Sequence, residues 1–123
     1  MNVVITGASR GIGKSIAEQF AGDGQEHVIL LGARDEQRLA GVAEELGERF
    51  PGSVIHFKAC DLGRKDEAQS FGAWVLDTVS TIDVLINNAG TFVPGNISDE
   101  ADGALEKMLE VNLYSAYHLT RSL

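Results

Sequence analysis

The sequence predicts an α/β fold: a doubly wound parallel sheet of about four strands in the order 3-2-1-4, with helices on both faces. Short apolar runs alternate with stretches of helical period along the whole chain, and the connections between them are short. A glycine-rich turn, Thr6-Gly7-Ala8-Ser9-Arg10-Gly11-Ile12-Gly13, follows the first run, and Asn87-Asn88-Ala89-Gly90 follows the fourth. Strands separated by helices join by right-handed crossovers, so this alternation builds one parallel sheet covered on both sides. In the order 3-2-1-4 the first and fourth strands are neighbours and the chain reverses direction between them. Both motifs therefore fall on one crevice beyond the carboxyl ends of the strands.

The elements follow in order. Asn2 to Thr6 is a continuous apolar run of the kind a strand covered on both faces requires. Ile12, Ile16, Ala17 and Phe20 then recur at helical spacing until Gly22-Asp23-Gly24 stops them. His27 to Leu31 is the second strand. Asp35 reads as the N-cap of a second helix, whose Leu39, Val42, Ala43, Leu46 and Phe50 step by three and four up to Pro51 and Gly52. Val54 to Ala59 is the third strand. Asp66 and Gln69 stand at capping-box spacing beside the stripe of Ala68, Phe71, Val75 and Val79. Asp83 to Asn87 is the fourth strand, and Ser98 caps a long last helix carrying Leu105, Met108, Leu109, Leu113, Ala116, Leu119 and Leu123.

A chain of 123 residues, 44% of them hydrophobic, has the size of one compact domain. Its net charge of −8 argues against nucleic acid, whose phosphates need clustered Lys and Arg. An anionic small molecule must then be held by local positive features. The single cysteine, Cys60, reads as a small apolar filler after the third strand and allows no internal disulfide. His27, His56 and His118 are scattered without metal-ligand spacing and read as surface or strand residues, so no metal is expected. The first strand starts too early for a signal peptide and no apolar run is long enough to span a membrane, which points to a cytoplasmic protein.

The glycine-rich turn carries the chemistry. Gly7 lets the chain leave the strand sharply, Gly11 lets backbone approach a pyrophosphate with no Cβ between them, and Gly13 lets helix and strand pack closely. The helix N-terminus then offers unpaired N–H groups to an anion.

Thr6-Gly7-x3-Gly11-x-Gly13, Asp61-Leu62 after the third strand, Asn87-Asn88-Ala89-Gly90 after the fourth, and Asn112 within Val111-Asn112-Leu113 stand at set intervals. Together they resemble the motifs of the short-chain dehydrogenase/reductase family, common short type. The likeness runs over the whole chain, which corresponds to the N-terminal half of such a protein. It implies a Rossmann-like fold, here the cofactor-binding part of a single domain over residues 1–123. It also implies hydride transfer between a nicotinamide cofactor and a carbonyl or alcohol substrate. Carried over residue by residue, it implies that Ser9, Arg10, Gly11 and Ile12 contact the cofactor phosphates and adenosine ribose. Asp61 would accept from the adenine amino group beside Leu62, and Asn88, Ala89 and Gly90 would line the cofactor ribose. From the residues alone, Asp61 equally serves to close the loop after strand three, and Asn87 with Asn88 to stabilise a turn.

Cofactor choice is read from charge. Relatives that take NAD place an acid at the end of strand two, whereas here Ala33 is followed by Arg34. Arg10 and Arg34 follow neighbouring strands and can meet one phosphate bidentately, so NADP(H) is expected over NAD(H). Asp35 is the competing ribose acceptor, but its place before the Leu39 run fits an N-cap better.

Asn112 is the one polar residue on the apolar stripe of the last helix, and a buried amide left unbonded costs roughly 1–3 kcal/mol. It either satisfies a neighbouring loop or, as the resemblance implies, belongs to the catalytic tetrad and helps hold a water in the proton relay. The family's serine and Tyr-x3-Lys pair lie beyond the fourth helix. Tyr117-x3-Arg121 lies inside that helix, and an arginine does not replace a lysine as a tunable partner, so this pair is rejected. Two readings of the length stay open: a segment of a longer enzyme, inactive by itself, or a complete non-catalytic dinucleotide-binding module or sensor. Val84-Leu85-Ile86, apolar on both faces at a sheet edge, favours the segment. Tyr114 and Tyr117 widen the apolar side of the last helix and point to a homo-oligomer through it.

Overall fold

The computed structural model describes residues 1–123. Its four strands, β1 (Asn2–Thr6), β2 (Val28–Ala33), β3 (Val54–Ala59) and β4 (Val84–Ile86), pair in parallel in the expected order β3-β2-β1-β4. Ile5 of β1 stands beside Leu31 of β2 on one side and Ile86 of β4 on the other. Strand β2 starts one residue later than the apolar run and continues through Gly32 and Ala33, which pair with Lys58 and Ala59. Backbone pairing outlasts the large side chains there because the ring of Phe71 packs under Gly32, where a Cβ would meet its Cζ at 2.7 Å.

Successive strand side chains point to opposite faces, and the sheet has one hydrophobic layer on each. Val3, Ile5, Ile29, Leu31 and Ala33 pack with Ala17 of α1 (Gly11–Ala21) and Leu39, Val42 and Leu46 of α2 (Glu36–Arg49). Val4 and Leu30 pack on the other face with Phe71 and Val75 of α3 (Lys65–Thr78) and with Leu119. Each of these fully buried large side chains contributes roughly 1.5–3 kcal/mol relative to exposure. The last helix runs as α4 (Ala104–Leu109), a π-helical segment Glu110–Tyr114 and α5 (Ser115–Ser122). No helix is long and apolar enough to cross a membrane.

Helix starts only partly follow the expected caps. Asp35 caps α2, its Oδ1 accepting the Arg38 N–H at 3.0 Å. The Asp66–Gln69 capping box is absent: α3 begins after Arg64 with no side-chain cap, and Asp66 turns back to the Arg64 guanidinium at 3.3 Å. Glu67 instead accepts the Asp61 N–H at 2.5 Å, so the first-turn carboxylates serve the preceding loop. Ser98 lies in a turn and caps nothing; α4 begins only at Ala104, after Gly103 at a left-handed φ of +90°. The Asp99 carboxylate takes the Asn96 N–H at 2.9 Å, closing that turn on itself before the helix starts.

The apolar stripe expected on the last helix faces inward only in part, chiefly through Leu119. Leu105, Leu109, Leu113, Tyr114 and Tyr117 are exposed, while Ala104, Ser115 and Leu119 are buried. The helix packs on α3 closely enough that a Cβ on Gly72 would collide with the Ser122 hydroxyl, and the glycine leaves room for Leu119 beside it. His27, expected on a strand or the surface, is buried just before β2, its Nε2 2.9 Å from Asp23 Oδ2 and its ring edge-on to Phe20.

Charges join the two helices of one face. Lys14 of α1 donates to Glu45 of α2 at 2.7 Å, and Arg49 of α2 bridges Glu18 at 2.5 Å and Glu45 at 3.1 Å. The Lys14 hydrogen bond, with a smaller contribution from Arg49, holds the Glu45 carboxyl below its usual 4.5. A carboxyl shifted down stabilises the fold above its ordinary pKa and loses that contribution as pH falls through the folded value. The stability difference between Glu45→Gln and the parent should therefore be small at neutral pH, shrink at high salt, and vanish on acidification below 4.5 in urea titrations.

One seam fixes β1 to the chain after β4. The Thr6 side chain, 2% exposed, donates to the Ile86 carbonyl at 3.3 Å and accepts the N–H groups of Asn88 at 2.9 Å and Ala89 at 3.0 Å. The Asn88 amide donates back to the carbonyls of Thr6 at 3.1 Å and Gly7 at 3.3 Å. Replacing Thr6 by valine keeps the shape, leaves the part-buried Ala89 N–H without an acceptor and leaves the Asn88 N–H only the Ile86 carbonyl at 3.1 Å, a loss of about 1–3 kcal/mol. Chemical denaturation should show this loss for Thr6→Val and recovery of most of it for Thr6→Ser.

Candidate functional site

Beyond the carboxyl ends of the strands lies a cavity of about 660 Å³. The turn after β1 supplies Gly7, Ser9, Arg10, Gly11 and Ile12, and the end of β3 supplies Cys60, Asp61, Leu62 and Gly63. Asn88, Ala89 and Gly90 enter from the loop after β4, and Val111 from the π-helical segment. Ala33, Arg34, Asp35 and Arg38 close the side formed by the end of β2 and the first turn of α2. Nearly all the residues expected from the motifs thus meet in one place.

The turn has the geometry its glycines allow. Gly7 and Gly11 stand at φ of +65° and +56°, a left-handed region that costs a side chain roughly 1–2 kcal/mol. Nothing lies within 4 Å of a Cβ built on Gly11, so its glycine serves the backbone path and the open space beside it. Gly13 does not line the cavity; a Cβ there would overlap the Gly7 carbonyl and come within 2.6 Å of Asn88 Nδ2. Close packing is the role expected of it. No side chain caps α1, so its first-turn N–H groups, among those without intrahelical partners, remain available to an anion.

Charge in the cavity departs from that of the chain. Three guanidiniums, Arg10, Arg34 and Arg38, outnumber the carboxylates of Asp35 and Asp61 in a protein of net charge −8. Asp61 has the loop-closing role open to it from sequence, since its Oδ1 accepts the Gly63 N–H at 3.0 Å, and it also borders the cavity. The neighbouring Cys60 is buried, and burial with the nearby Glu67 carboxylate pushes its thiol up to about 12, which makes it a neutral wall atom. Arg38 and Val111 were missed by motif reading. Arg38 sits four residues after Arg34 in the capped first turn, a spacing that could have placed it beside the same site.

Asn112 does not line the cavity and is exposed, contrary to the buried position expected. Its side chain leaves the helix to pair with the backbone of Thr91, Oδ1 accepting the N–H at 2.6 Å and Nδ2 donating to the carbonyl at 2.8 Å. The same Oδ1 would stand 3.4 Å from a Cβ on Gly90. Nearby, the Ser115 hydroxyl donates to the Val111 carbonyl at 2.5 Å within the widened turn. Tyr117 accepts from Arg121 at 3.0 Å on the exposed face, beside a separate shallow depression of about 430 Å³, and neither tyrosine reaches the main cavity.

The family model described as short chain dehydrogenase matches residues 1–123. Short-chain dehydrogenase/reductase 3 of Bos taurus is 34% identical over 121 residues, covering 98% of this chain and 39% of that protein. Among solved structures, an alcohol dehydrogenase from the archaeon Thermococcus sibiricus complexed with 5-hydroxy-NADP superposes with a TM-score of 0.91 at 32% identity, over 98% of this chain and 50% of that one. L-sorbose reductase from Gluconobacter frateurii, complexed with NADPH and L-sorbose, gives a TM-score of 0.91 at 35% identity, over 99% and 45%. The chain spans about two-fifths of the length of the curated relatives it matches. With its parallel Rossmann-like sheet and its matching motifs, the chain belongs to the short-chain dehydrogenase family.

Proposed function

We propose that this chain is the N-terminal cofactor-binding part of a single-domain, NADP(H)-dependent oxidoreductase acting on a carbonyl or alcohol. The carrying observation is the cavity that joins an uncapped helix N-terminus to unpaired guanidiniums at Arg10 and Arg34, with Ala33 where an acid would repel a 2′-phosphate. Relatives solved with NADPH and 5-hydroxy-NADP support the same reading.

The residues present fit such a group. Ser9, Gly11 and Ile12 would hold the pyrophosphate at the open backbone of the turn, and Arg10 and Arg34 would hold the 2′-phosphate. Asp61 and the buried Leu62 receive adenine, the one through its unbonded carboxylate oxygen and the other as apolar floor. Asn88, Ala89 and Gly90 border the ribose. When bound, the nicotinamide would supply the hydride that the family uses on carbonyl carbon. Asn112 serves the proton relay by holding the loop at Thr91, and the relay's serine, tyrosine and lysine lie outside these residues. The exposed Leu105, Leu109, Leu113 and Tyr117 favour a homo-oligomer through the last helix.

Arg34→Ala should weaken NADPH binding about tenfold or more and leave NADH binding within twofold, as read by fluorescence titration. Equal affinities of the parent for both cofactors, unchanged by Arg34→Ala, would sink the cofactor assignment. The 123-residue chain should also bind NADPH without oxidising it in the presence of ketones or aldehydes. Measurable turnover would return Tyr117 to the catalytic candidates.

A further inference from the structure

Strand β3 is an edge of the sheet and pairs only with β2. Backbone N–H groups of successive strand residues point to opposite sides, so with the Cys60 N–H on the Ala33 carbonyl at 2.9 Å the next one, that of Asp61, points away from the sheet. Glu67 takes it. From the first turn of α3 its Oε2 reaches back six residues to accept the Asp61 N–H at 2.5 Å.

A carboxylate at this place ordinarily does something else. A glutamate at the third helical position returns to the N–H of the residue that precedes the helix. Here that residue is Arg64, and its N–H already donates to the Asp61 carbonyl at 3.0 Å. The Arg64 guanidinium does not hold Glu67 either, because it bonds to Asp66 and its Nε stays 3.6 Å from Glu67 Oε1, beyond hydrogen-bond range.

Around Asp61 every polar group but one is then engaged. Its N–H goes to Glu67, its carbonyl takes the Arg64 N–H, and its Oδ1 takes the Gly63 N–H at 3.0 Å. The turn also rests against the last helix, where a Cβ on Gly63 would meet Val111 Cγ2 at 2.9 Å. The group left over is Oδ2, an acceptor in the wall of the cavity. With the backbone of Asp61 fixed on both sides, the direction of that acceptor is set before any ligand arrives.

We propose that Glu67 is a positioning residue for the dinucleotide: by fixing the Asp61 backbone it aims Asp61 Oδ2 at the exocyclic amino group of adenine. The assignment rests on the reading of the cavity as a dinucleotide site with Asp61 at adenine. Glu67 itself does not line the cavity, so it acts through Asp61 alone. Reach, not charge, is what this role needs. An amide of the same length supplies the same acceptor, whereas a carboxylate one methylene shorter does not span to Asp61. A glutamate acting only through the helix dipole would behave the other way round, since aspartate keeps the negative charge at the helix start and glutamine loses it.

The test titrates the protein with NADPH and with its deamino analogue, whose hypoxanthine carries an oxo group in place of the amino group. The parent is compared with Glu67→Gln, Glu67→Asp, Glu67→Ala and Asp61→Asn, each checked for folding by circular dichroism. Glu67→Asp should lose about fivefold in NADPH affinity and Glu67→Gln should stay within twofold of the parent. Neither should bind the deamino analogue more weakly than the parent does. Glu67→Ala, which also removes the reach, should repeat the aspartate result and decides the matter if that variant folds poorly. Parental NADPH affinity in Glu67→Asp and Glu67→Ala, a larger loss in Glu67→Gln than in Glu67→Asp, or an equal loss for both ligands overturns the Glu67 assignment. If that happens while Asp61→Asn still narrows the preference for NADPH over the deamino analogue, the reading of Asp61 stands and only Glu67 is excluded. An Asp61→Asn variant that keeps the parent's preference overturns the adenine contact and the role of Glu67 with it, and a parent that binds neither ligand overturns the dinucleotide reading as a whole.

Discussion

The hydroxyl of Thr6 is the point on which the site depends. It is the last residue of β1, and it accepts two N–H groups from the loop after β4 while donating to the end of β4 itself. Strand β4 is only three residues long and pairs with β1 alone, so the backbone ladder by itself gives it little hold. The seam of Thr6 and Asn88 adds side-chain bonds where the ladder ends. It also places Asn88 beneath Gly7 and Gly13, positions where a Cβ would collide with the Asn88 amide. The glycine spacing of the turn and the asparagine of the fourth-strand motif are therefore parts of a single packing solution: each requires the other to be where it is.

Electrostatics follow from that geometry. A chain with an excess of carboxylates is poorly suited to hold an anion anywhere on its average surface. The fold solves this by bringing the open end of α1, with its unpaired N–H groups, to the same rim as the arginines at the ends of β1 and β2. Away from the cavity, Lys14 and Arg49 pair with acids of the neighbouring helix in the Lys14–Glu45–Arg49–Glu18 chain that ties α1 to α2. The local field at the cavity is thus opposite in sign to the net charge of the protein.

Sequence reading reached the strand order, the sheet's two layers and most of the cavity because those features are written in local signals. Apolar runs mark strands, and the motifs sit at strand ends where topology brings them together. Asp35 was legible as a cap because nothing else competes for it. Asp66 was not, because Arg64 offers a partner that a local capping pattern does not weigh, and Ser98 was not, because Asn96 and Asp99 close a turn around it before the helix starts at Ala104. The last helix failed differently. Its leucines suggested one inward stripe, but only Leu119 is buried against α3 while Leu105, Leu109 and Leu113 are exposed, and no periodicity reveals which apolar line a neighbour will accept. Asn112 was placed among the buried residues by that same error, though its alternative role of satisfying a loop was visible. Thr6 was quoted as part of a motif, yet its hydroxyl bridge depends on a loop some eighty residues away and leaves no local trace.

The reciprocal bond between Asn112 and Thr91 has a mechanical meaning. Amide and peptide are joined by two hydrogen bonds, one in each direction, which copies the way paired strands grip each other. The grip falls one residue past Gly90, which lines the cavity, and on the segment whose Val111 lines it too. The wall after β4 is therefore held at both ends, by β1 at Asn88 and Ala89 and by the last helix at Thr91. A tilt of that helix would move one end of the wall while the Thr6 seam keeps the other, and so change the width of the cavity.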